Sequence, residues 1–171
     1  MPSIDVHQHF WPEPFVALLR ARDEPPQIDR LELVLREGRF PIDPKGNDLE
    51  SRLALLDRDE IDVAVLSLQP TLGTGDLPVD ERDALEQAWI DGTRELVAAS
   101  GGRFRAFAPR GIVAGFAGVS VAASDLSDLD LISPLLDELQ RSSAPLFVHP
   151  GAVRESSNAA GWWTAVVDYT A

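Results

Sequence analysis

The sequence has no cysteine, and that absence removes disulfide cross-links, thiolate metal sites and cysteine nucleophiles together. Any metal the chain binds must therefore sit on histidine and carboxylate. Histidine is itself scarce, with 3 in 171 residues, so the places where those three stand carry unusual weight. Long apolar runs are missing too: nothing approaches the roughly 18 residues that span a bilayer. Met1, Pro2 and Ser3 lead into a short apolar segment holding Asp5, His7 and His9, which fits no secretory signal. No membrane partner is expected, and a cytoplasmic location follows as the default. Lysine occurs once, at Lys45, and the arginines are scattered among acids in a chain of net charge −13. Such a surface repels nucleic acid and anionic lipid, so nucleic acid is not an expected partner. Neither a Gly-rich phosphate loop nor a Ser-based nucleophile elbow is present.

What remains is the composition of an ordinary globule, 44% hydrophobic and 25% charged. A chain of 171 residues can bury a core without staples. No internal repeat, low-complexity tract or linker divides it, so residues 1–171 are expected to form a single domain.

Short apolar segments alternate with amphipathic ones. Ser3 to Phe10, bounded by Pro2 and Pro12, reads as a first strand, and Pro14 to Ala21 as a short helix. Residues 25–46 show no period and hold four prolines, which predicts an irregular insertion. Asp48 is placed to cap a helix carrying Leu49, Leu53 and Leu56 on one face. Val63 to Leu68 follows as a buried strand. Asp80 is placed to cap a longer helix marked by Leu85, Trp89 and Leu96 and stopped by Gly101 and Gly102. Phe104 to Ala108, Phe116 to Ala122 and Pro145 to Val148 read as three further strands, with a helix starting at Pro134 before the last. A final helix is expected around Trp162, Trp163, Val166, Val167 and Tyr169. This alternation predicts an α/β fold with a parallel sheet and helices packed outside it. One link is too short for the rule: only Pro109 to Gly115 separates the third and fourth strands, where a parallel crossover normally takes about a dozen residues.

All three histidines fall at the C-terminal ends of these strands. Residues two apart on a strand project to one face, so His7 and His9 can bring two imidazoles to one ion while Gln8 faces away. His149 ends the fifth strand, which in a closed eight-stranded barrel stands roughly opposite the first, at the mouth where barrel enzymes keep their active sites. Neutral imidazoles suit Zn²⁺ first, with Mn²⁺, Fe²⁺ and Ni²⁺ as alternatives. Three protein ligands leave room for a water, whose pKa falls from about 15.7 to roughly 7 in a favourable zinc site. That predicts metal-dependent hydrolysis of a small ester, lactone or amide. Asp5, odd-numbered like the ligands, is expected on their face as a supporting partner.

These motifs resemble a known family. Ile4-Asp5-Val6-His7-Gln8-His9-Phe10-Trp11-Pro12 looks like the opening motif of the amidohydrolase superfamily, in its amidohydrolase-related branch. That branch includes sugar lactonases and the aminocarboxymuconate-semialdehyde decarboxylase group. Leu146-Phe147-Val148-His149-Pro150 looks like its fifth-strand metal histidine, and the segments at Arg52 to Leu68 and Gly102 to Pro109 also fit. The resemblance implies a (β/α) TIM-type barrel, with His7, His9 and His149 as ligands of one divalent ion. It also implies a sixth-strand histidine and an eighth-strand aspartate, and 171 residues end before either. The expectation is thus an N-terminal portion of about five strands, completed by further chain or in a homo-oligomer, since a (β/α)₈ barrel typically takes about 250 residues and a half-barrel leaves two open edges.

The catalytic groups stay unassigned at this level. Phe10, Trp11, Gln69, Arg110 and Arg154 follow strand ends and are candidates to line a pocket for a small-molecule substrate, arginine there suiting a carboxylate. Asp125 reads better as the cap of a turn than as a ligand. Two other functions compete: non-oxidative decarboxylation, which the same branch performs, and an inactive truncated subunit that only binds.

Overall fold

The computed structural model of the chain describes residues 1–127 and 129–151. Arg154 and the expected helix around Trp162 and Trp163 lie outside them. Five parallel strands form one sheet in the order β1 (Ile4–Gln8), β5 (Val63–Leu66), β6 (Phe104–Pro109), β7 (Gly118–Ala122) and β8 (Leu146–His149). Helices α1 (Glu13–Arg20), α2 (Leu49–Arg58), α3 (Val79–Ala99) and α4 (Leu129–Ser142) join them. This is a curled half-barrel, a partial TIM-type fold. Among the described residues no helix is long and apolar enough to cross a membrane.

Alternation along the strands sets two faces. Ala64 and Leu66 of β5 and Phe104 and Ala106 of β6 are buried in one apolar cluster with Phe15 and Leu19 of α1, Leu56 of α2, and Leu85 and Trp89 of α3. Val119 and Val121 of β7 pack instead with Ile132 and Leu139 of α4. Each such buried Val, Leu, Ile or Phe side chain contributes about 1.5–3 kcal/mol. The residues between them, Phe107, Ser120 and Phe147, turn to the opposite, concave face, where the Phe107 and Phe147 rings stack at 5.3 Å.

Helix starts depart from the sequence reading. Asp48 caps α2 as expected, its carboxylate accepting the Ser51 N–H at 2.8 Å. Asp80 does not cap α3: Pro78 holds the cap position, and Asp80 and Glu81 occupy the first turn, where their charge suits the helix dipole. Pro134 lies inside α4 rather than at its start. As the sixth residue of the helix it removes an N–H that would otherwise bond the Asp130 carbonyl, a cost that the packing of α4 must offset. Gly101 and Gly102, both at positive φ, terminate the α3 segment as expected.

Residues 25–46 are not irregular. They contain a separate antiparallel sheet of β2 (Gln27–Asp29), β3 (Glu32–Leu35) and β4 (Gly38–Pro41). Arg39 reaches across it to both Asp29 and Glu32. Strands of three or four residues are too short to show a period, which is why the sequence hid them.

The short link between β6 and β7 is real and contains no helix. Gly118 opens β7 beside Phe107, two residues before β6 ends at Pro109, so residues 110–117 climb back only that far. The stagger removes the need for a long crossover. Phe116 in this link packs against Trp89 of α3 at 6.2 Å, covering sheet that a crossover helix would otherwise cover.

Candidate metal centre

β1 and β8 are the two edges of the sheet, four strand spacings apart. Laid flat they would stand about 19 Å from each other, yet His7 Nε2 lies 2.8 Å from His149 Nε2. Curling brings the two edges together over the concave face. His9, just past β1, completes the group with its Nε2 at 3.1 Å from that of His149. The three residues offer ligand atoms within 4.8 Å of one another. Among the described residues the cluster holds no carboxylate.

A bulge aims these ligands. Ile4 and Asp5 pair with Val63 and Ala64, but Gln8 pairs with Leu66, so three residues of β1 advance against two of β5. Asp5 and Gln8 consequently share the helix-facing side of the sheet, and the expectation that Asp5 stands on the ligand face is wrong. Parity along a strand holds only while the ladder is regular. Asp5 instead accepts the Gln8 side-chain N–H at 2.7 Å and the His7 backbone N–H at 3.0 Å. Gln8 in turn accepts from Arg52 of α2.

The outer nitrogens of two rings are fixed by backbone. His9 Nδ1 meets the Ser67 carbonyl at 2.9 Å, and His149 Nδ1 meets the Pro150 carbonyl at 2.6 Å. A carbonyl oxygen only accepts, so each Nδ1 carries the proton and each Nε2 presents a lone pair to the centre. Two lone pairs facing each other at 3.1 Å repel unless a cation lies between them. Protons are poor candidates for that cation. Burial pulls the His9 pKa down to about 4, with His149, His7 and Arg52 pushing the same way and the Ser67 carbonyl opposing. Burial also lowers His149. Neutral imidazoles with converging Nε2 atoms fit a divalent ion of the Zn²⁺ or Mn²⁺ kind.

The expected substrate-binding residues do not form one group. Trp11 and Gln69 meet each other, the indole N–H donating to Gln69 Oε1 at 2.7 Å. Arg110 lines a cavity of about 530 Å³ at the ends of β6 and β7, but its guanidinium donates to Glu86 and Asp83 of α3. Asp125 caps its turn by accepting the Ala122 N–H at 3.0 Å. Glu86, Ser120 and the carbonyls of Ser67 and Pro150 escaped the sequence reading. Backbone carbonyls leave no residue signature, and Glu86 sits among other acids on α3.

No family model and no curated protein matches the chain by sequence. Solved structures do match. One is 5-carboxyvanillate decarboxylase from Novosphingobium aromaticivorans, a mutant with bound manganese and 3-methoxy-4-hydroxy-5-nitrobenzoic acid, at TM-score 0.66 and 18% identity. The match covers 99% of this chain and 56% of that one. A second structure of the same decarboxylase, complexed with manganese and 4-hydroxy-3-methoxy-5-nitrobenzoic acid, matches at TM-score 0.64 and 18% identity over 99% and 55% of the two chains. These neighbours are amidohydrolase-superfamily enzymes of the aminocarboxymuconate-semialdehyde decarboxylase group. The chain thus spans little more than half the length of the structures it resembles.

Proposed function

We propose that the chain supplies the metal-holding half of a (β/α)-barrel enzyme that removes a carboxyl group, without oxidation, from a small carboxylated substrate. The observation that carries this reading is the convergence of three imidazole Nε2 atoms, two of them on rings whose Nδ1 partners are already fixed. The decarboxylase that shares the fold, with manganese in both of its structures, favours lyase over hydrolase chemistry. His7, His9 and His149 would hold the ion. When bound, such an ion supplies positive charge that orients a substrate carboxylate and stabilises negative charge developing beside it. Ser67 and Pro150 keep two of the rings in the donor tautomer, and burial keeps them neutral. Groups that move protons are expected from outside the described residues, in further chain or a second copy.

Hydrolysis of an ester, lactone or amide is the second reading, because a three-histidine centre also suits activation of water. Carbon dioxide release and acid release, measured on hydroxybenzoic acids and on lactones with added Mn²⁺ or Zn²⁺, separate the two. Carbon dioxide from the aromatic acids is the expected result. Acid release from lactones without carbon dioxide from any acid would leave the hydrolase reading in its place.

A further inference from the structure

His9 stands in a stretch of chain that is held residue by residue. Gln8, before it, accepts an N–H of the Arg52 guanidinium on its side-chain oxygen. Phe10, after it, is pinned into the core from α3, its carbonyl accepting the Trp89 indole N–H at 2.9 Å. The Trp11 backbone N–H donates to Asn47 Oδ1 at 2.8 Å. The holds at Gln8 and Trp11, on either side of His9, thus come from one short segment at the entry to α2.

That segment is built to be stiff. Asp43 accepts the Lys45 N–H at 2.9 Å and opens a single tight turn, Pro44–Asn47. Asp48 then caps α2 through the Ser51 N–H at 2.8 Å, while its own N–H donates to the Lys45 carbonyl at 3.2 Å. Two caps in succession fix the backbone that carries Asn47 and Arg52. Arg52 also reaches back to the Gly46 carbonyl at 3.4 Å, tying the helix to its turn. It is half-buried and makes no ion pair among the described residues, and Asp5 balances its charge through space, across Gln8. Holding a guanidinium partly out of water without a bonded carboxylate is costly. A neutral donor would hold Gln8 at less cost if fold stability alone were at stake.

We propose that Asn47 and Arg52 are positioning residues for the His9 imidazole, gripping the chain on either side of it so that Nδ1 stays on the Ser67 carbonyl and Nε2 stays aimed at His149. Neither touches the ring; Asn47 acts through Trp11 and Arg52 through Gln8. Resting on the reading of the histidines as a metal centre, the same grip sets how tightly a divalent ion is held, because small drifts of a ligand spoil the convergence that a metal requires.

Two readouts test this, one without metal and one with it. Without metal, solvent exchange of the His9 Nδ1 proton is followed by NMR on ¹⁵N-labelled protein. Asn47→Ala and Arg52→Met should each speed it about fivefold or more, the weight of roughly one hydrogen bond. Asn47→Asp keeps an acceptor for Trp11 and should restore the slow exchange. With metal, calorimetric affinity for Mn²⁺ should fall about tenfold in Asn47→Ala and Arg52→Met and recover in Asn47→Asp. Arg103→Met controls for stability. Arg103 donates to Asp57 at 2.6 Å and to the Ile61 and Asp62 carbonyls at 2.9 Å, at the end of the sheet away from the histidines. Its loss should lower Tm and leave both readouts unchanged. Should Arg52→Met fail to fold, the two Asn47 variants decide the matter. Unchanged exchange in Asn47→Ala and Arg52→Met, or an equal change in Arg103→Met, would overturn the proposal. No Mn²⁺ binding by the unmutated protein, with the exchange pattern as expected, would instead defeat the metal reading and leave the positioning role standing.

Discussion

The Asp5 carboxylate accepts the backbone N–H of His7 at 3.0 Å, inside the bulge that turns His7 to the concave face. Its other oxygen holds the side chain of Gln8, which Arg52 holds in turn. One acid on the helix side thus braces the backbone of a candidate metal site on the other side of the sheet. Asp5→Asn keeps an acceptor but places an amide N–H₂ against either Gln8 or the His7 N–H. Divalent-metal affinity should fall about 10–100-fold, as for other partners that stand behind ligands. Isothermal titration with Mn²⁺ or Zn²⁺ measures it, and an unchanged affinity would show that the bulge holds its shape without Asp5.

The three rings should act as one unit. Saturation with a divalent ion at about 100 times its dissociation constant stabilises the fold by about 2.7 kcal/mol, which raises Tm by roughly 5–10 °C in a chain of this size. His149→Ala and His9→Ala should each abolish the metal-dependent shift while leaving a folded protein. A shift that persists in both variants would place the ion elsewhere.

Much of this was legible in the residues, and the failures have physical causes. The positions of the five parallel strands followed from short apolar segments, and the convergence of His7, His9 and His149 from the two segments that end in histidine. Period-2 reasoning also gave the face of Gln8 correctly, since it does turn away from the ligands. The same reasoning misplaced Asp5, because a bulge is a local event that no sequence period reports. Arg110 was found as a strand-end arginine, but its engagement by Glu86 and Asp83 depends on α3 lying beside the β6 end, a tertiary fact. The small sheet of β2, β3 and β4 was invisible for want of length.

Gly92 of α3 tests the contact between helices. A Cβ there would stand 2.5 Å from Pro12 Cβ and 2.8 Å from its Cγ. In an open helix, Gly→Ala gains about 0.8–1.0 kcal/mol. Here overpacking against a rigid ring costs about 1–3 kcal/mol, so Gly92→Ala should lower stability by about 1 kcal/mol net. Thermal or urea unfolding decides the sign, and a stabilised variant would mean that the segment at Pro12 moves away freely.

Glu86 gives the pH dependence. Burial raises its pKa above the ordinary 4.5, with the Arg110 hydrogen bond and charge opposing. Between 4.5 and the raised value, the folded protein therefore holds a proton that the unfolded chain has released. Stability from this group is present below the unfolded pKa and is lost as pH rises through that window. Glu86→Gln stays neutral throughout and can still accept from Arg110 through its amide oxygen. The unfolding free energy of the unmutated protein relative to Glu86→Gln should therefore decline from pH 4 to pH 7. Most other carboxylates cancel in the comparison, but Asp83, which shares Arg110, does not cancel fully. Asp83→Asn in both backgrounds removes that contribution, and the decline should persist. If the difference instead rises with pH, the ion pair with Arg110 outweighs burial and Glu86 titrates as a stabilised carboxylate.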